Sequence, residues 1–496
     1  MRHSMRTASA PQVLPDAESA EPDQPAGLKT VRVLIWVYLA LLVVEGALRK
    51  WTLPSLSDPL LLIRDPVVLA IYFFAIRAHV FPRNAYVVLL GVIGVLAVSL
   101  SFLTLYGYLP IKAITLVTLY GFRCDFLHLP LIFVMAAALE SKDVQKIGYW
   151  TLLLMIPMAI LMLAQFKASP DSFINKTVGL GEGQQLSTAG GKIRPPGTFS
   201  FISGPIFYLS MAAAFAIYGA LTSGVYKGWL LLASSAAILV GIVISGSRAC
   251  VLAVVLVVMA VLVVLVVRPS AMNKVVGAVL ALVIVGLGFV FIASRFPVFQ
   301  EGLSVLSDRF TDSAEVAETS VVGGLLERMW DEFTMAFQFI DKMPLDGYGL
   351  GVGTAGGARF LLGQGGLLLS ENEWLRIIAE NGPFLGFAFI IIRVALTGKL
   401  LIASLRALKS GQVLAILLFA TVFLGMLNGQ FGQPTTLGFT VVLAGLCLAA
   451  ANFSESTDES ESEEEQPRRL PRRSAFAHRI HGAKDSTDHT NGSVDR

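Results

Sequence analysis

The residues best suited to chemistry lie in the stretch 367–386, LLLSENEWLRIIAENGPFLG, which precedes and enters a long apolar run. Charged side chains in such a run are costly in a membrane, so they usually face protein, water or a substrate. Glu373, Arg376 and Glu380 are spaced three and four residues apart, which places them on one helical face. Two interpretations are open: an ion-pair ladder that satisfies itself at the start of a helix, or the edge of an active site.

Glu371 lies outside this ladder and has no obvious structural task. Ser370 is predicted to cap the helix, and Glu373, three residues later, would complete a capping box. Glu371 is therefore the candidate catalytic residue, and Asn372, Glu373 and Arg376 are candidates for a supporting role.

Histidine is missing from the same part of the chain, since none occurs between His128 and His478. A general base in this region must then be a carboxylate or a tyrosine. No group of carboxylates or cysteines is specific enough to indicate a divalent metal site. We predict neither a metal nor a cofactor.

Three arginines stand in suggestive contexts. Arg194 lies in GKIRPPGTFSF, Arg248 in SGSRAC between two apolar runs, and Arg328 near the start of an amphipathic segment. The planar guanidinium donates two hydrogen bonds at once, which suits a diphosphate. A lone arginine can equally be an anchor at a membrane interface. Arg248 favours the first interpretation, because a turn this short and apolar gives it no other anion.

Two further features remain open. The glycine-rich segment 344–359, PLDGYGLGVGTAGGAR, includes Gly349 and is either a cradle of N–H groups for phosphate oxygens or an irregular flexible connector. Arg123 and Asp125, in GFRCDFLHLPL, would point apart on an ideal helix. A broken helix or separate partners would accommodate them.

The elements that position these residues follow from composition. The chain has 496 residues, of which 55% are hydrophobic and only 15% charged, with a net charge of +3 and a mean hydropathy of +0.69. A soluble chain carries about 25% charged residues. The sequence predicts an all-α polytopic membrane protein without a nucleic-acid partner. Its predicted spans are 31–48, 59–77, 85–105, 110–139 (broken near Gly121), 149–166, 203–222, 228–246, 249–267, 274–293, 375–397, 411–428 and 434–451.

Lysine and arginine are concentrated in alternate short loops, which predicts that both termini are cytoplasmic. The domains expected are a disordered tail at 1–30, nine spans within 31–293, three spans within 375–451 and a disordered tail at 452–496. Two long loops, 167–202 and 294–374, then lie on the outer face. In the second loop, residues 322–343 carry an apolar stripe from Leu326 to Ile340 and predict an amphipathic helix.

The order of IRPPGTFSF, SGSRAC, RMWDEFTMAFQFIDKMPLDGYGLG and SENEWLRIIAENGPFLG resembles the O-antigen ligase and polymerase family of bacterial envelope polysaccharide synthesis, the Wzy- and WaaL-like membrane proteins. The resemblance covers about residues 190–390 by motif and the whole chain by topology. It implies a GT-C-like fold of about twelve spans with a large periplasmic loop. In the family, outer arginines hold the diphosphate of an undecaprenyl carrier, a role that matches Arg194, Arg248 and Arg328.

The family usually has a His-Asn pair where this chain has Glu371-Asn372, so the assignment of the base departs from the family pattern. The resemblance implies a metal-independent glycosyltransferase that polymerises undecaprenyl-diphosphate-linked repeat units at the periplasmic face of the bacterial inner membrane. The partners implied are this lipid-linked oligosaccharide, a glycan acceptor, membrane lipid and a chain-length regulator. The alternatives are a ligase that transfers glycan to another acceptor and, from a different class, a transporter or flippase of lipid-linked glycan, which Arg123 and Asp125 within the membrane would suit.

Overall fold

The protein is helical throughout the part that its computed structural model describes, which is residues 26–176, 178, 192–317, 330, 331, 333–363 and 369–464. No β-strand occurs among these residues, and Tyr106 and Leu109 form an isolated bridge. Ten of the described helices are long and apolar enough to cross a membrane. The prediction of an all-α, multi-pass membrane protein is confirmed.

The main helices, in chain order, are α1 Ala26–Ala47, α2 Arg64–Arg77, α3 Ala85–Leu105, α4 Ile111–Phe122, α5 Leu131–Ala138, α6 Ser141–Lys167, α7 Ser203–Leu221, α8 Gly228–Ile244, α9 Arg248–Val267, α10 Met272–Ala293, α11 Pro297–Ala317, α12 Ala355–Leu362, α13 Glu373–Ser410, α14 Leu414–Asn428 and α15 Pro434–Glu464. A helix lies at every predicted span. Those at two of them, α8 and α14, are apolar but shorter than the other ten.

Two helices form the centre of the bundle. In the most apolar stretches of α15 and α7, 89% and 83% of the residues are buried inside the protein, whereas in α10 the fraction is 11%. The rings of Phe199, Phe207 and Tyr208 pack on Phe439 of α15. The central helices therefore contact protein on most sides, and α10 leaves its apolar side chains for lipid.

The predicted break in the fourth span is confirmed. Between α4 and α5 the chain makes a π-helical turn, Arg123–Leu127, whose first four residues are buried. A π-helical turn changes the direction in which successive side chains point. Arg123 and Asp125 therefore reach partners on different helices.

Helix α13 is kinked at Gly382, where φ is +71° and ψ is 168°. Such a backbone conformation is accessible mainly to glycine. Pro383 follows and has no N–H to donate. The kink therefore leaves main-chain oxygens of the preceding turn without their helical donors.

The glycine-rich segment supplies those donors. Tyr348 N donates to Ala379 O at 2.7 Å, and Gly349 N donates to Glu380 O at 3.1 Å. Gly353 N donates to the Glu380 carboxylate at 2.8 Å. These N–H groups, including that of Gly349, are engaged within the protein rather than presented to a phosphate, and the segment packs on α13 rather than forming a loose connector.

The predicted amphipathic helix at 322–343 is described at residues 330, 331 and 333–343, and residues 330, 331 and 333–338 are helical. Its residues 322–329, which include Leu326, lie outside the described residues. Trp330, assigned to the apolar stripe, is 69% exposed.

Aromatic contacts attach this helix to α13. The rings of Phe333 and Phe337 lie 5.0 and 6.3 Å from the ring of Trp374, the second residue of α13. The Trp374 indole N–H donates to Leu427 O at the end of α14. The long loop is therefore attached to the helix that follows Glu371.

The first and last helices extend further toward the ends of the chain than predicted. Helix α1 begins at Ala26, inside the predicted tail 1–30, and residues 1–25 lie outside the described residues. Helix α15 continues past Asn452, where the second tail was predicted to begin, as far as Glu464. Residues 465–496 are not among the described residues.

Replacing Gly382 by alanine should destabilise the protein by at least about 2 kcal/mol. The new Cβ would lie 2.1 Å from Leu345 O, in a backbone conformation that alanine rarely adopts. The matched control is Gly398→Ala in the same helix, where nothing lies within 4 Å of the new methyl group. That change should be neutral or stabilise by up to about 1 kcal/mol. Thermal unfolding in detergent micelles measures both, and equal stability of the two variants would contradict the role given to the kink.

Candidate functional site

Three arginines meet where α9 begins. Arg194 comes from the segment 192–202, Arg248 is the first residue of α9, and Arg309 lies on α11. Arg248 Nη1 donates to Arg309 O at 3.1 Å. The charges of Arg309 and Arg248 both act on Arg194, so the three side chains are neighbours, and their role in binding a substrate stays a prediction. We call these three residues the arginine cluster.

Arg194 lies near the positive charges of the other two arginines of the cluster. Burial lowers the pKa of its guanidinium, and the positive charges of Arg309 and Arg248 lower it further. Its Nε is buried and has no hydrogen-bond partner within the described chain. None of the ion pairs among the described residues involves Arg194. An anion placed here would satisfy the donor and relieve the repulsion.

The segment that carries Arg194 is held firmly. Gly197 N donates to the Gln165 side chain at 2.8 Å, and the Gln165 amide returns a bond to Gly197 O at 3.0 Å. Lys50 Nζ donates to Gly197 O and to Phe199 O at 2.8 and 2.7 Å. Thr198 Oγ1 donates to Val43 O of α1. The backbone after Arg194 is thereby fixed to α1 and α6.

Arg328, the third arginine proposed from sequence, lies outside the described residues, so its relation to the cluster stays a prediction. The sequence did not single out Arg309, because the amphipathic helix predicted in this loop was placed at residues 322–343. The segment PVFQEGLSVLSDRF, residues 297–310, also has an amphipathic pattern, which could have indicated a helix that carries Arg309 near its end.

Glu371 precedes α13 and is exposed. Its main-chain oxygen accepts a bond from Gln430 Nε2 at 2.6 Å. Its carboxylate forms none of the ion pairs of the described residues, and no recorded contact joins it to the arginine cluster. Glu371 is therefore accessible and held at its backbone, and its catalytic role stays a prediction.

The helix cap differs from the prediction. Asn372 is the N-cap of α13, and its Oδ1 accepts from Leu375 N at 2.9 Å. The Ser370 hydroxyl instead accepts from Asn372 N at 2.9 Å. The predicted capping box from Ser370 to Glu373 is wrong, since Glu373 turns inward to a buried arginine.

The ion-pair ladder interpretation of Glu373, Arg376 and Glu380 is confirmed, and the ladder is buried rather than exposed. Arg376 donates to Glu373 at 3.0 Å and to Glu380 at 2.7 Å. It also donates to Asp125 at 2.8 Å, and Arg393 donates to Glu373 at 2.9 Å. We call these five residues the Arg376 network. It unites the broken fourth span with the two halves of α13.

Arg123, two residues from Asp125, takes a different partner. Its Nε donates to Asp65 Oδ2 at 2.6 Å, and its Nη2 donates to Leu61 O at 2.9 Å. The expectation of separate partners is confirmed. Arg123 thus has a structural task within the protein rather than a free position in the membrane.

A second network of polar side chains includes Asp65. His128 Nε2 lies 3.0 Å from Asp65 Oδ1, and its Nδ1 lies 3.0 Å from the Tyr38 hydroxyl. Arg64 donates to Tyr38 at 3.4 Å and to Glu45 at 2.8 Å. Glu45 also lies four residues before Arg49, within reach of a contact along the helix. That contact is 3.7 Å long, so Arg64 is the closer partner.

No protein-family model matches the sequence, and no curated protein is significantly similar to it. The chain is a multi-pass helical membrane protein in which buried arginines and carboxylates of the described helices are paired. Arg194, Arg248 and Arg309 are neighbours where α9 begins. Any assignment of activity depends on that cluster and on Glu371.

Replacing Arg376 by leucine should destabilise the protein by about 3–5 kcal/mol, because three buried carboxylates would lose their shared partner. The matched control is Arg359→Leu. Arg359 pairs with Asp58 at 2.9 Å, but these side chains are 39% and 46% exposed. That change should cost less than about 1 kcal/mol. Thermal unfolding in detergent compares the two, and an Arg376→Leu protein as stable as the control would contradict the role of the network.

Proposed function

We propose that the protein is a membrane glycosyltransferase that uses a polyprenyl-diphosphate-linked glycan as donor, and that it polymerises repeat units of an envelope polysaccharide. The observation that carries the proposal is the meeting of Arg194 and Arg248 with a third arginine beside them. Guanidinium groups brought together in this way suit a group with several phosphate oxygens. The resemblance in motif order to the O-antigen ligase and polymerase family supplies the reaction.

The proposed setting is the bacterial inner membrane, with twelve spans in a GT-C-like arrangement and both termini in the cytoplasm. The ten long helices together with α8 and α14 would supply these spans. In this orientation the arginine cluster and Glu371 face the periplasm. The lysine and arginine bias of the short loops supports that choice.

In the proposed mechanism, Arg194 and Arg248 bind the diphosphate, with Arg328 as a further candidate. The acceptor hydroxyl oxygen forms a bond to the sugar C1 while the bond from C1 to the phosphate oxygen breaks. The electron pair leaves with the diphosphate, and the arginines stabilise the negative charge that develops there. Glu371 takes the proton of the acceptor hydroxyl as general base.

Glu371 suits this task for two reasons. Its side chain is exposed and forms no ion pair among the described residues, so its carboxylate is available. It also adjoins Asn372, whose side chain caps α13 and fixes the backbone at this point. A glutamate would here perform the task that the family assigns to a histidine.

A ligase that moves finished glycan to another acceptor uses the same two sites, and the acceptor alone distinguishes it from a polymerase. A flippase, the alternative from another class, drew its support from Arg123 and Asp125. Both have partners inside the protein, at 2.6 and 2.8 Å, which disfavours a substrate site there.

Replacing Arg194 by glutamine should reduce glycan transfer about 100-fold or more, through loss of a donor to the leaving group. The same change should leave thermal stability unchanged or raise it, because it removes a cation repelled by two others. Transfer is measured as product growth from undecaprenyl-diphosphate oligosaccharide with the purified protein.

Arg295→Gln is the matched control, since Arg295 is an exposed arginine of the second predicted outer loop and lies over the Phe291 ring. It should retain full activity. An Arg194→Gln protein that is as active as this control would sink the assignment of the diphosphate site.

Replacing Glu371 by glutamine should lower the rate of transfer about 100-fold or more, because general-base assistance is lost. Donor binding and thermal stability should be unchanged, since the side chain is exposed and forms no ion pair. Asp171→Asn, at another exposed acid of a predicted outer loop, is the control and should be fully active. If Glu371→Gln retained the wild-type rate, another group would have to be the base.

A further inference from the structure

We propose that the groove between α1 and α6 binds one anionic phospholipid, with an acyl chain in the groove and the headgroup phosphate on Lys142 and Lys146. The proposal goes beyond the glycosyltransferase assignment and does not depend on it. It assigns a lipid site to a part of the protein that neither the proposed mechanism nor the buried ion pairs involve.

The groove is a cavity of about 310 Å³ whose lining residues come from four helices. They include Trp36 of α1, Trp150 and Leu154 of α6, Tyr208 of α7 and Phe439 of α15. Trp150 and Leu154 are 43% and 41% exposed on a helix long and apolar enough to cross a membrane, so the groove opens toward lipid. A cavity of about 150 Å³ holds a benzene molecule, so this groove has room for about twelve carbon atoms of a chain.

The groove offers no free hydroxyl to a polar ligand. Its lining includes two hydroxyl groups, those of Thr151 and Tyr208. Thr151 Oγ1 donates to Ile147 O at 2.9 Å, and the Tyr208 hydroxyl donates to Thr151 O at 3.1 Å. A sugar or a phosphate buried here would leave polar atoms unpaired, whereas a hydrocarbon chain would not. The groove therefore suits the chain of a lipid.

One row of side chains on α6 leads from charge to hydrocarbon. Lys142, Lys146, Trp150 and Leu154 stand at intervals of four residues, which makes them neighbours along the helix surface. The Lys146 ammonium lies 5.8 Å from the centre of the Trp36 ring, which also lines the groove. Tryptophan favours the level of the lipid headgroups. The row thus follows the order in which a phospholipid presents its phosphate, its glycerol region and its acyl chain.

The two lysines give the mouth of the groove a positive charge. Both are exposed, and neither forms any of the ion pairs of the described residues. The acids of the same turn, Glu140 and Asp143, pair instead with Arg32 of α1, at 2.6 and 3.5 Å. Lysines at a membrane surface attract anionic headgroups more than zwitterionic ones. The charge of the mouth therefore favours an anionic phospholipid.

The lysines lie at the opposite end of α6 from the arginine cluster. Gln165, near the end of α6, binds Gly197, three residues after Arg194. From Lys146 to Gln165 the helix rises about 28 Å, close to the thickness of the hydrocarbon core. A lipid held by the lysines thus has its headgroup in the other leaflet from a donor held by the arginines. In the proposed orientation this is the cytoplasmic leaflet, which carries anionic lipid.

The headgroup contact is tested on the full-length protein in detergent by native mass spectrometry. Dioleoyl phosphatidylglycerol and dioleoyl phosphatidylcholine share their chains and differ in net charge. The wild type should bind one phosphatidylglycerol about tenfold more tightly than phosphatidylcholine, because two lysines attract its headgroup. The double variant Lys142→Gln/Lys146→Gln should lose this preference. The control Lys227→Gln/Lys409→Gln, which removes two exposed lysines of other predicted inner loops, should keep it.

The chain contact is tested separately with Ala40→Phe. Ala40 lines the groove and is exposed, so the added ring would occupy space that the acyl chain needs. Binding of both lipids should weaken about tenfold, as expected if about two methylene groups lose their burial. The control is Ala281→Phe, at an exposed alanine of α10, which should leave both affinities unchanged.

Equal affinity of the wild type for the two lipids, or a preference that persists in the lysine variant, would overturn the proposal. Unaltered binding to Ala40→Phe would place the lipid elsewhere and overturn it as well. So would displacement of phosphatidylglycerol by an equimolar amount of farnesyl phosphate, since the groove would then take a prenyl chain. Thermal unfolding of each variant without lipid should match that of its control, which separates lost binding from lost folding.

Discussion

The pairing of Arg376 with three carboxylates joins the broken fourth span to α13 in the centre of the protein. Asp125 belongs to the broken fourth span, whereas Glu373 and Glu380 stand on either side of Arg376 in α13. Glu373 also accepts from Arg393, beyond the kink, and from Phe431 N, before α15. Ions in low dielectric are strongly destabilising unless each is met by an opposite charge. The positions of α13, α14 and α15 beside Glu371 therefore follow from one ionic centre.

Inside the bundle, buried arginines are paired with buried carboxylates. The two polar networks hold equal numbers of arginines and carboxylates: Arg49, Arg64, Arg123, Arg376 and Arg393 with Glu45, Asp65, Asp125, Glu373 and Glu380. The Arg376 network has one carboxylate more than it has arginines, and the other network has one arginine more than it has carboxylates. Arg123 and Asp125, two positions apart in the chain, connect the two networks. The buried charges of these two networks are thus neutralised by partners within the protein. None of the ion pairs among the described residues involves Arg194, and the neighbouring charges of Arg309 and Arg248 repel it, which is what supports the proposed anion site.

Apolar run length was enough to place the membrane helices, because a span must be long and apolar wherever it packs. The ladder from Glu373 to Glu380 also followed from spacing alone. Its partners Asp125 and Arg393 could not be assigned, since pairing across the fold depends on which helices become neighbours. The same limit applied to Arg309, which lies near Arg194 because α11 packs against α8 at Gly302. The glycine-rich segment was ambiguous because its N–H groups are engaged at a kink that is 27 or more residues further along the chain.

The distance along the chain between Asp125 and Arg376 has a consequence for biogenesis. The two residues are 251 positions apart, and Arg64 donates to Pro434 O across 370 positions. At ordinary translation rates the ribosome needs about 10–50 s to add 250 residues. During that interval the fourth span contains a carboxylate whose permanent partner has not yet been synthesised. The early helices must therefore remain loosely assembled at the insertion machinery until α13 arrives, and the bundle closes only when α15 has been made.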